Sequence, residues 1–196
     1  MPRRSYRWLY FVAKPLITVL IIMVAAFGGS SIAPAYKLYI LAALLCCLVG
    51  DICLLFAGKR WFVSGLISFL AAHIMFIVAF TRGLGGLDLP WWAVCIVLYG
   101  IVFAARLLPH TGRLKLAVGV YCTVLIGVAL AAAWRWNALR STPALMTLGG
   151  ALLFVVSDSL LAIRRFVTDY RFSHVAIMAT YWSALVLIAA SVAIAP

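Results

Sequence analysis

The chain alternates between long apolar runs and short segments that carry most of its charges. Seven runs reach membrane-spanning length, at about 8–28, 37–57, 61–81, 90–108, 114–134, 143–164 and 173–195. An α-helix rises about 1.5 Å per residue, so roughly twenty residues cross the ~30 Å hydrocarbon core of a bilayer. The pattern therefore predicts an all-α, polytopic bundle of seven transmembrane helices.

Composition also places the chain in the lipid bilayer. Of its 196 residues, 67% are hydrophobic, and the mean hydropathy of +1.18 is too high for a water-soluble domain. We expect one integral membrane domain over residues 1–196. The first run could be mistaken for a secretory signal peptide. However, its apolar core of about twenty residues exceeds the roughly 7 to 15 of a signal, and it contains Lys14 followed by Pro15.

The net charge of +12 is spread over the connections and forms no stripe, so it indicates membrane orientation rather than nucleic-acid binding. With the N-terminus inside, the inner segments hold eleven basic residues and the outer segments hold four. The inner group is Arg3, Arg4, Arg7, Lys59, Arg60, Arg106, Arg113, Lys115, Arg164, Arg165 and Arg171, and the outer group is Lys37, Arg82, Arg135 and Arg140. The positive-inside rule then predicts an N-in, C-out topology. The short connections suit a bacterial inner membrane.

Two aspartates interrupt otherwise apolar runs. Asp51 and Asp158 lie inside such runs, whereas Asp88 and Asp169 fall in polar connections. A carboxylate within a membrane helix is energetically costly, so by default it indicates a functional site that faces a cavity or a partner. Asp51 and Asp158 each lie six residues before the inner end of their run, which places them about 9 Å inside the cytoplasmic boundary. We therefore expect both at one level of the membrane.

Four more polar side chains come near this level. Lys14, Tyr121 and Tyr181 are expected within about 12 Å of the inner boundary, and His73 is expected somewhat higher, near mid-membrane. The spacing therefore predicts that these residues surround the aspartate pair, on the cytoplasmic side of the membrane.

The aspartates permit two interpretations. If both face one cavity, low dielectric and mutual repulsion favour one protonated and one ionised carboxyl, which supplies an acid and a base together. In the alternative, the acids are structural, with Asp51 bonded to Lys14 and Asp158 bonded to tyrosines or helix backbone. Lys14 is likewise interpreted either as a phosphate anchor or as a side chain that extends to the inner surface.

His73 shares one helix face with Gly65 and Phe69, which precede it at intervals of four residues. A lone buried histidine is often only a packing or hydrogen-bonding residue, but its place between two buried acids makes a positioning or relay role an equal alternative. The sequence contains no His/Cys cluster, so neither a metal nor a cofactor is expected. The five cysteines lie in apolar runs and are expected to be packing residues.

Several short motifs occur together in a specific order. They are Lys14-Pro15, Gly50-Asp51, Gly65-Leu66-x-x-Phe69-x-x-Ala72-His73, Ser157-Asp158-Ser159, and Tyr181 followed by Ile188-Ala189. Their combination resembles the lysoplasmalogenase (YhhN-like) family, and the similarity extends over nearly the whole chain. Members of that family are commonly drawn with about eight spans, whereas the pattern here gives seven.

The resemblance implies an enzyme with a lysophospholipid substrate. Family members hydrolyse the vinyl ether bond of lysoplasmalogens and release a fatty aldehyde and a glycerophospho-base. Such a reaction needs a buried acid and a carboxylate that stabilises a cation, which an aspartate pair provides. The catalytic residues are then expected to be Asp51, Asp158 and His73, and the substrate-binding residues Lys14, Tyr121, Tyr181 and Ser157.

Other functions fit some of these features. Intramembrane acids also mark the ion pathways of transporters, although the prolines, such as Pro15 and Pro143, lie near run ends and predict no broken mid-membrane helix. A retinal-binding seven-helix protein would need a lysine in the seventh run, which contains none. A non-enzymatic assembly subunit would use the acids only to pair helices. The pattern leaves the oligomeric state open.

Overall fold

The computed structural model describes residues 5–28 and 34–193, with side chains from residue 11 onwards, so Arg3 and Arg4 lie outside it. The helices are α1 (Ser5–Phe27), α2 (Pro34–Leu55), α3 (Lys59–Thr81), α4 (Ala93–Leu107), α5 (Lys115–Leu139), α6 (Thr142–Phe166) and α7 (Ser173–Ala193). Two short 3-10 turns, Leu108–His110 and Gly112–Leu114, join α4 to α5. Within these ranges no β-strand occurs, and the predicted all-α bundle is confirmed.

Six of the helices close into a ring. In order of contact they are α1, α2, α3, α5, α6 and α7, and α7 returns to α1. α4 packs outside the ring, mainly on α5. Large side chains such as Phe76, Phe80 and Phe154 are fully buried in the core of the bundle. Because α4 is displaced outwards, α3 meets α5 directly, and the order around the ring differs from the order along the chain.

The surface of the bundle is apolar. On α2, Leu38, Leu45, Val49 and Ile52 are between 41% and 65% exposed. Helices α2 to α7 are long and apolar enough to cross a membrane, two of them with their adjoining 3-10 turns, and α1 has a shorter apolar stretch, Phe11–Phe27. In water such faces would aggregate, whereas lipid solvates them. The chain is an integral membrane protein.

Glycines allow the two closest helix pairs, α2 with α3 and α6 with α7. A Cβ atom on Gly50 would lie 2.7 Å from the ring of Phe69, and one on Gly150 would lie 2.9 Å from the carbonyl oxygen of Ala184. Small residues let membrane helices approach closely enough for van der Waals contact to hold them together. Gly50 directly precedes Asp51 in α2, so this contact holds the Phe69 ring against the residue next to Asp51.

α5 departs furthest from its predicted bounds. The apolar run ends near residue 134, but the helix continues to Leu139 and stops at Arg140, whose backbone is left-handed with φ 47°. Arg135, which the charge pattern assigns to an outer connection, therefore lies inside α5 and is only 9% exposed. The predicted end lies just before a charged residue, because a charge interrupts a hydrophobic run. A helix ends only where its backbone hydrogen bonding ends, which in α5 is five residues later.

The bundle has two chemically distinct ends. We call one the basic end, because it carries the connections at 56–58, 108–114 and 167–172, which are flanked by arginines and lysines. The opposite end carries the connections at 82–92 and 140–141. The positive-inside rule predicts that the basic end faces the cytoplasm.

Candidate active site

Asp51 lies near the basic end of α2 and is fully buried. Lys14 Nζ, from α1, lies 3.0 Å from Oδ1 and forms an ion pair with it. Thr18, one turn further along α1, donates a 2.7 Å hydrogen bond to Oδ2. The Tyr181 hydroxyl, from α7, donates a 2.8 Å hydrogen bond to the same atom. This set of one cation and two donors suits an ionised carboxylate.

Asp158 on α6 has a different set of neighbours. The Tyr121 hydroxyl donates a 2.5 Å hydrogen bond to Oδ2, and His73 Nε2 lies 3.7 Å from the same oxygen. His73 Nδ1 lies 2.6 Å from the carbonyl oxygen of Phe69, which can only accept, so Nδ1 carries a hydrogen.

His73 Nε2 and Asp158 Oδ2 face each other at a distance too long for a hydrogen bond. Nε2 makes no hydrogen bond within the described residues. If neither Nε2 nor the Asp158 carboxyl carried a proton, a nitrogen lone pair would face an anionic oxygen. A proton on either group removes that repulsion. The contact therefore favours a proton on one of the two groups.

Aromatic rings pack against the partners of the two aspartates and connect them. Phe154 packs edge-on against Tyr181, with ring centroids 5.6 Å apart, and against His73, with centroids 4.8 Å apart. Phe69 packs edge-on against Tyr181 at 6.0 Å. The motif of Gly65, Phe69 and His73 has a structural explanation. Its spacing of four residues places all three on the buried face of α3.

Both aspartates line one cavity of about 470 Å³ that opens at the basic end. Its walls include Lys14, Asp51, Phe69, Ser157, Asp158, Met178 and Tyr181, and its mouth includes Gly58, Arg164, Arg165, Asp169 and His174. The volume lies in the usual range for small-molecule sites. The cavity is thus large enough to admit water and the polar part of a lipid.

The two aspartates differ in their access to this space. The Asp51 side chain is 0% exposed, whereas that of Asp158 is 10% exposed. Asp158 also lines a second space, a narrow apolar cleft of about 50 Å³ between α3, α4, α5 and α6. Of the two carboxyls, Asp158 is therefore the better placed to meet a substrate.

Each of the six helices of the ring contributes at least one predicted site residue, and α6 contributes two. In chain order these are Lys14, Asp51, His73, Tyr121, Ser157, Asp158 and Tyr181. α4, which packs outside, contributes none of them. The contacts also match the structural alternative, because Asp51 pairs with Lys14 and Asp158 accepts from a tyrosine. Hydrogen bonding alone does not separate the two interpretations, but the exposure of Asp158 to the cavity favours the catalytic one.

All four predicted substrate-binding residues already contact other groups of the protein. The Tyr121 and Tyr181 hydroxyls donate to the two aspartates. Ser157 lines the cavity, and its hydroxyl donates a 3.2 Å hydrogen bond to the carbonyl oxygen of Ile177, which ties α6 to α7 beside Asp158. The Lys14 ammonium is paired with Asp51. Their roles toward a substrate stay predictions.

Three residues of the site escape prediction from the sequence. Thr18 lies four residues after Lys14, on the same face of α1, and this spacing is the available signal. In the sequence, Arg164 and Arg165 indicate only how the protein is oriented in the membrane. In the structure they border the cavity. No group of three His, Cys or Asp side chains that could hold a metal comes together within residues 5–28 and 34–193.

Comparison with known proteins places this arrangement in a family. The YhhN family pattern matches residues 9–192, which is nearly the entire chain and includes all six helices of the ring. The chain belongs to the YhhN family. The resemblance inferred from the motifs is thus confirmed.

Named relatives of this YhhN protein include enzymes from mammals and mycobacteria. Lysoplasmalogenase TMEM86A of Bos taurus is 29% identical over 202 residues, which cover 97% of this chain and 81% of the relative. Lysoplasmalogenase TMEM86B of Sus scrofa is 32% identical over 199 residues, which cover 100% of this chain and 80% of the relative. The lysoplasmalogenase of Mycobacterium tuberculosis is 35% identical over 157 residues, which cover 78% of this chain and 59% of the relative. No solved structure matches the chain significantly.

Proposed function

We propose that this YhhN protein is a membrane hydrolase that cleaves the vinyl ether bond of lysoplasmalogens and releases a fatty aldehyde and a glycerophospho-base. The observation that carries the proposal is the placement of Asp158, which faces His73 and is exposed to a cavity that Asp51 also lines. Relatives named lysoplasmalogenase supply the substrate class.

The reaction needs an acid, a water molecule and a base. An acid protonates the double-bond carbon that is farther from the ether oxygen, and the positive charge spreads over the adjacent carbon and the oxygen. Water adds to that carbon and loses a proton, which gives a hemiacetal. The hemiacetal then breaks its bond to the glycerol oxygen, so that an aldehyde and a glycerol hydroxyl form. One water is consumed and the proton is returned.

Asp158 is assigned the role of proton donor. Its carboxyl lies 3.7 Å from His73 Nε2 and reaches the cavity, while the Tyr121 hydroxyl fixes the position of Oδ2. A proton that is held in a low-dielectric site is available to a weakly basic carbon, which is difficult to protonate in water. The His73 and Asp158 pair then takes back the proton that the attacking water loses.

Asp51 is assigned a supporting role in the reaction. Its ionised carboxylate places negative charge near the cavity in which the cation forms, and it can orient the attacking water. Lys14, Thr18 and Tyr181 hold this carboxylate in one position. The walls formed by Ser157 and Tyr181 would surround the glycerol part of the substrate.

The direction of substrate entry follows from the cavity and the charge pattern. The cavity opens at the basic end, which is predicted to face the cytoplasm, so a lysolipid would enter from the inner leaflet of what we propose is a bacterial inner membrane. Pro15 lies in the middle of α1 rather than near its end, where the apolar run predicted it, because the helix begins before that run at Ser5. The helix nevertheless continues through Pro15, and α1 to α7 show no break at mid-membrane. This continuity gives no support to a transporter with discontinuous helices.

The test is an assay with two lipids. Purified protein is incubated with a lysoplasmalogen and, separately, with an acyl lysophospholipid that has the same head group. We expect fatty aldehyde from the first lipid and no fatty acid from the second. Release of fatty acid from the acyl lipid, or no cleavage of any alkenyl lysolipid, would overturn the proposal.

A further inference from the structure

The mouth of the main cavity carries two arginines with different surroundings. Arg164 Nε lies 3.2 Å from Oδ1 of Asp169, and the Ser173 hydroxyl donates a 2.9 Å hydrogen bond to the same oxygen. The Ser173 hydroxyl and the Arg164 guanidinium hold the pKa of the Asp169 carboxyl below its usual value. Asp169 is therefore ionised at neutral pH, and it neutralises Arg164.

Arg165 carries a charge that no acid neutralises. Its guanidinium lies 4.5 Å from the centre of the Phe62 ring, and it makes no ion pair with any residue that the structure describes. An aromatic face holds the guanidinium plane without using its five donors, which stay available for an anion. Arg165 is also exposed, so an incoming ligand can reach it.

Arg165 and Asp158 border both spaces of the site. The main cavity is partly polar, whereas the narrow cleft beside it is lined almost wholly by apolar side chains. Those side chains include Leu66, Phe103, Leu107, Val118 and Leu125. The cleft lies where α3 and α5 meet α4 and α6, on the side of the bundle where α4 is displaced outwards. A polar space and an apolar space that meet at one carboxyl match a molecule with a charged end and a hydrocarbon end.

We propose that Arg165 binds the phosphodiester of the lysolipid head group and that the apolar cleft receives the alkenyl chain, so that the vinyl ether lies at Asp158, where the two spaces meet. This assignment rests on the proposed function, whose substrate it places in the site. The bulk of the chain would continue into the bilayer, because the cleft itself is narrow. Arg165 is thus a substrate-binding residue that determines specificity for a phosphate.

The dimensions of the substrate agree with this placement. Asp158 and Arg165 are seven residues apart on α6, a rise of about 10.5 Å. Seven covalent bonds separate the protonated carbon of a lysoplasmalogen from its phosphorus, and they span about 8 Å when extended. The phosphate oxygens and the guanidinium cover the remaining distance. A substrate whose vinyl carbon lies at Asp158 therefore places its phosphate beside Arg165.

Lys14 is the competing candidate for the phosphate. Its ammonium is 3% exposed and is paired with Asp51. To bind a phosphate, it would have to leave a buried carboxylate without its cation, which is costly in low dielectric. Arg165 has no such partner to abandon.

Binding can be measured apart from catalysis with lipids that cannot be hydrolysed. The probes are a saturated 1-alkyl lysophosphatidylcholine, which has the phosphate but no vinyl bond, and a 1-alkylglycerol, which lacks the phosphate. Dissociation constants are measured for the unmodified protein and for Arg165→Gln, Arg165→Lys and Arg113→Gln. Arg113 lies at the same end of the bundle and borders neither space, so it controls for general attraction to the head group.

We expect Arg165→Gln to weaken binding of the phospholipid about 10- to 100-fold, because a charge-assisted hydrogen bond is lost. Binding of the alkylglycerol should change less than about 2-fold, Arg165→Lys should restore part of the loss, and Arg113→Gln should bind both probes like the unmodified protein. Equal losses for both probes would overturn the assignment and show that Arg165 only packs against Phe62. No loss for either probe would also overturn it.

The experiment separates this inference from the proposed function. Glycerophosphocholine, which has the phosphate without a chain, is added as a competitor. Competition that Arg165→Gln abolishes would indicate that the head group alone is recognised. If the protein cleaves no alkenyl lipid but binds the alkyl phospholipid through Arg165, the proposed function fails and the phosphate assignment stands. If it cleaves lysoplasmalogen and 1-alkenylglycerol equally well, the phosphate assignment fails and the function stands.

Discussion

Two buried polar clusters lie at opposite ends of the ring, and they differ in chemistry. The basic-end cluster contains two carboxyls beside a cavity. The opposite cluster contains hydroxyls and one guanidinium. The Tyr36 hydroxyl lies 3.1 Å from Thr147 Oγ1 and 2.8 Å from Ser191 Oγ. Arg135 lies with its Cζ 4.3 Å from the centre of the Tyr36 ring and donates a 3.3 Å hydrogen bond to the carbonyl oxygen of Phe80.

The difference shows that buried polar groups in a membrane protein are not by themselves signs of an active site. The opposite cluster joins α2, α3, α5, α6 and α7, and neither of the two spaces described above reaches it. Apart from Arg135 Nε, which has no hydrogen-bond partner among the described residues, the polar groups named in this cluster contact other groups of the protein and so hold helices together. The basic-end cluster combines two carboxyls, a histidine and an open cavity, so it retains capacity for a substrate.

The largest expected effect is that of Asp158→Asn on turnover. An amide cannot donate an acidic proton to carbon, so aldehyde release should fall about 10²- to 10⁴-fold. The amide oxygen can still accept the hydrogen bond from Tyr121, so the fold should be retained. The measurement is aldehyde release per folded protein, with the Tm in detergent as the control. Near-full release by a folded variant would make Asp158 a structural residue.

Asp51→Asn should affect stability as well as turnover. The substitution leaves the buried Lys14 ammonium without its carboxylate, and breaking a buried ion pair from one side costs about 3 to 5 kcal/mol. The Tm should therefore fall together with aldehyde release. Asp51 is thus expected to support the reaction, as a residue of the basic-end cluster, and also to hold helices together, as the residues of the opposite cluster do.

A double variant separates the two contributions of Asp51. Asp51→Asn combined with Lys14→Met removes both charges, so the Tm should recover most of the loss while aldehyde release stays low. The comparison is made at equal amounts of folded protein. Recovery of release along with the Tm would reduce Asp51 to a structural partner of Lys14.

Much of the fold, and which residues come together in the candidate site, could be predicted from the sequence. A charged group in an apolar run stands out because it is costly there, which identified Asp51 and Asp158. Regular helices convert position along a run into depth, so the spacing placed Lys14 and Tyr181 at the level of Asp51, and both contact it.

The pairing of residues could not be predicted, because depth gives no information on the order of helices around the ring. α4 lies outside and α3 meets α5, which brings His73 beside Tyr121 and Asp158. The burial of Arg135 could not be predicted either, because the hydrophobic pattern does not show where α5 ends. Its charge resembles that of a connecting segment, and only the continuation of α5 past residue 134 shows that it lies inside the bundle.

The smallest expected effects come from a pair of tyrosines, one in each cluster. Tyr36→Phe removes the hydroxyl that contacts Thr147 and Ser191 at the opposite end. Hydrogen bonds between membrane helices contribute on average about 0.6 kcal/mol, so a small fall in Tm is expected. Aldehyde release per folded protein should not change, since this cluster borders neither space of the site.

Tyr181→Phe removes one hydroxyl in the same way but at the basic end. The ring keeps its edge-on contacts with Phe69 and Phe154, while Asp51 Oδ2 loses one of its two hydrogen-bond donors. The fall in Tm should be close to that of Tyr36→Phe, because each variant loses one buried hydroxyl. Aldehyde release should in addition fall several-fold, because Asp51 is then less firmly held beside the cavity in which the cation forms. If the two variants lower release equally at matched Tm, the two clusters do not differ in function. The distinction between the basic-end cluster, which borders a cavity, and the opposite cluster, which does not, would then have to be abandoned.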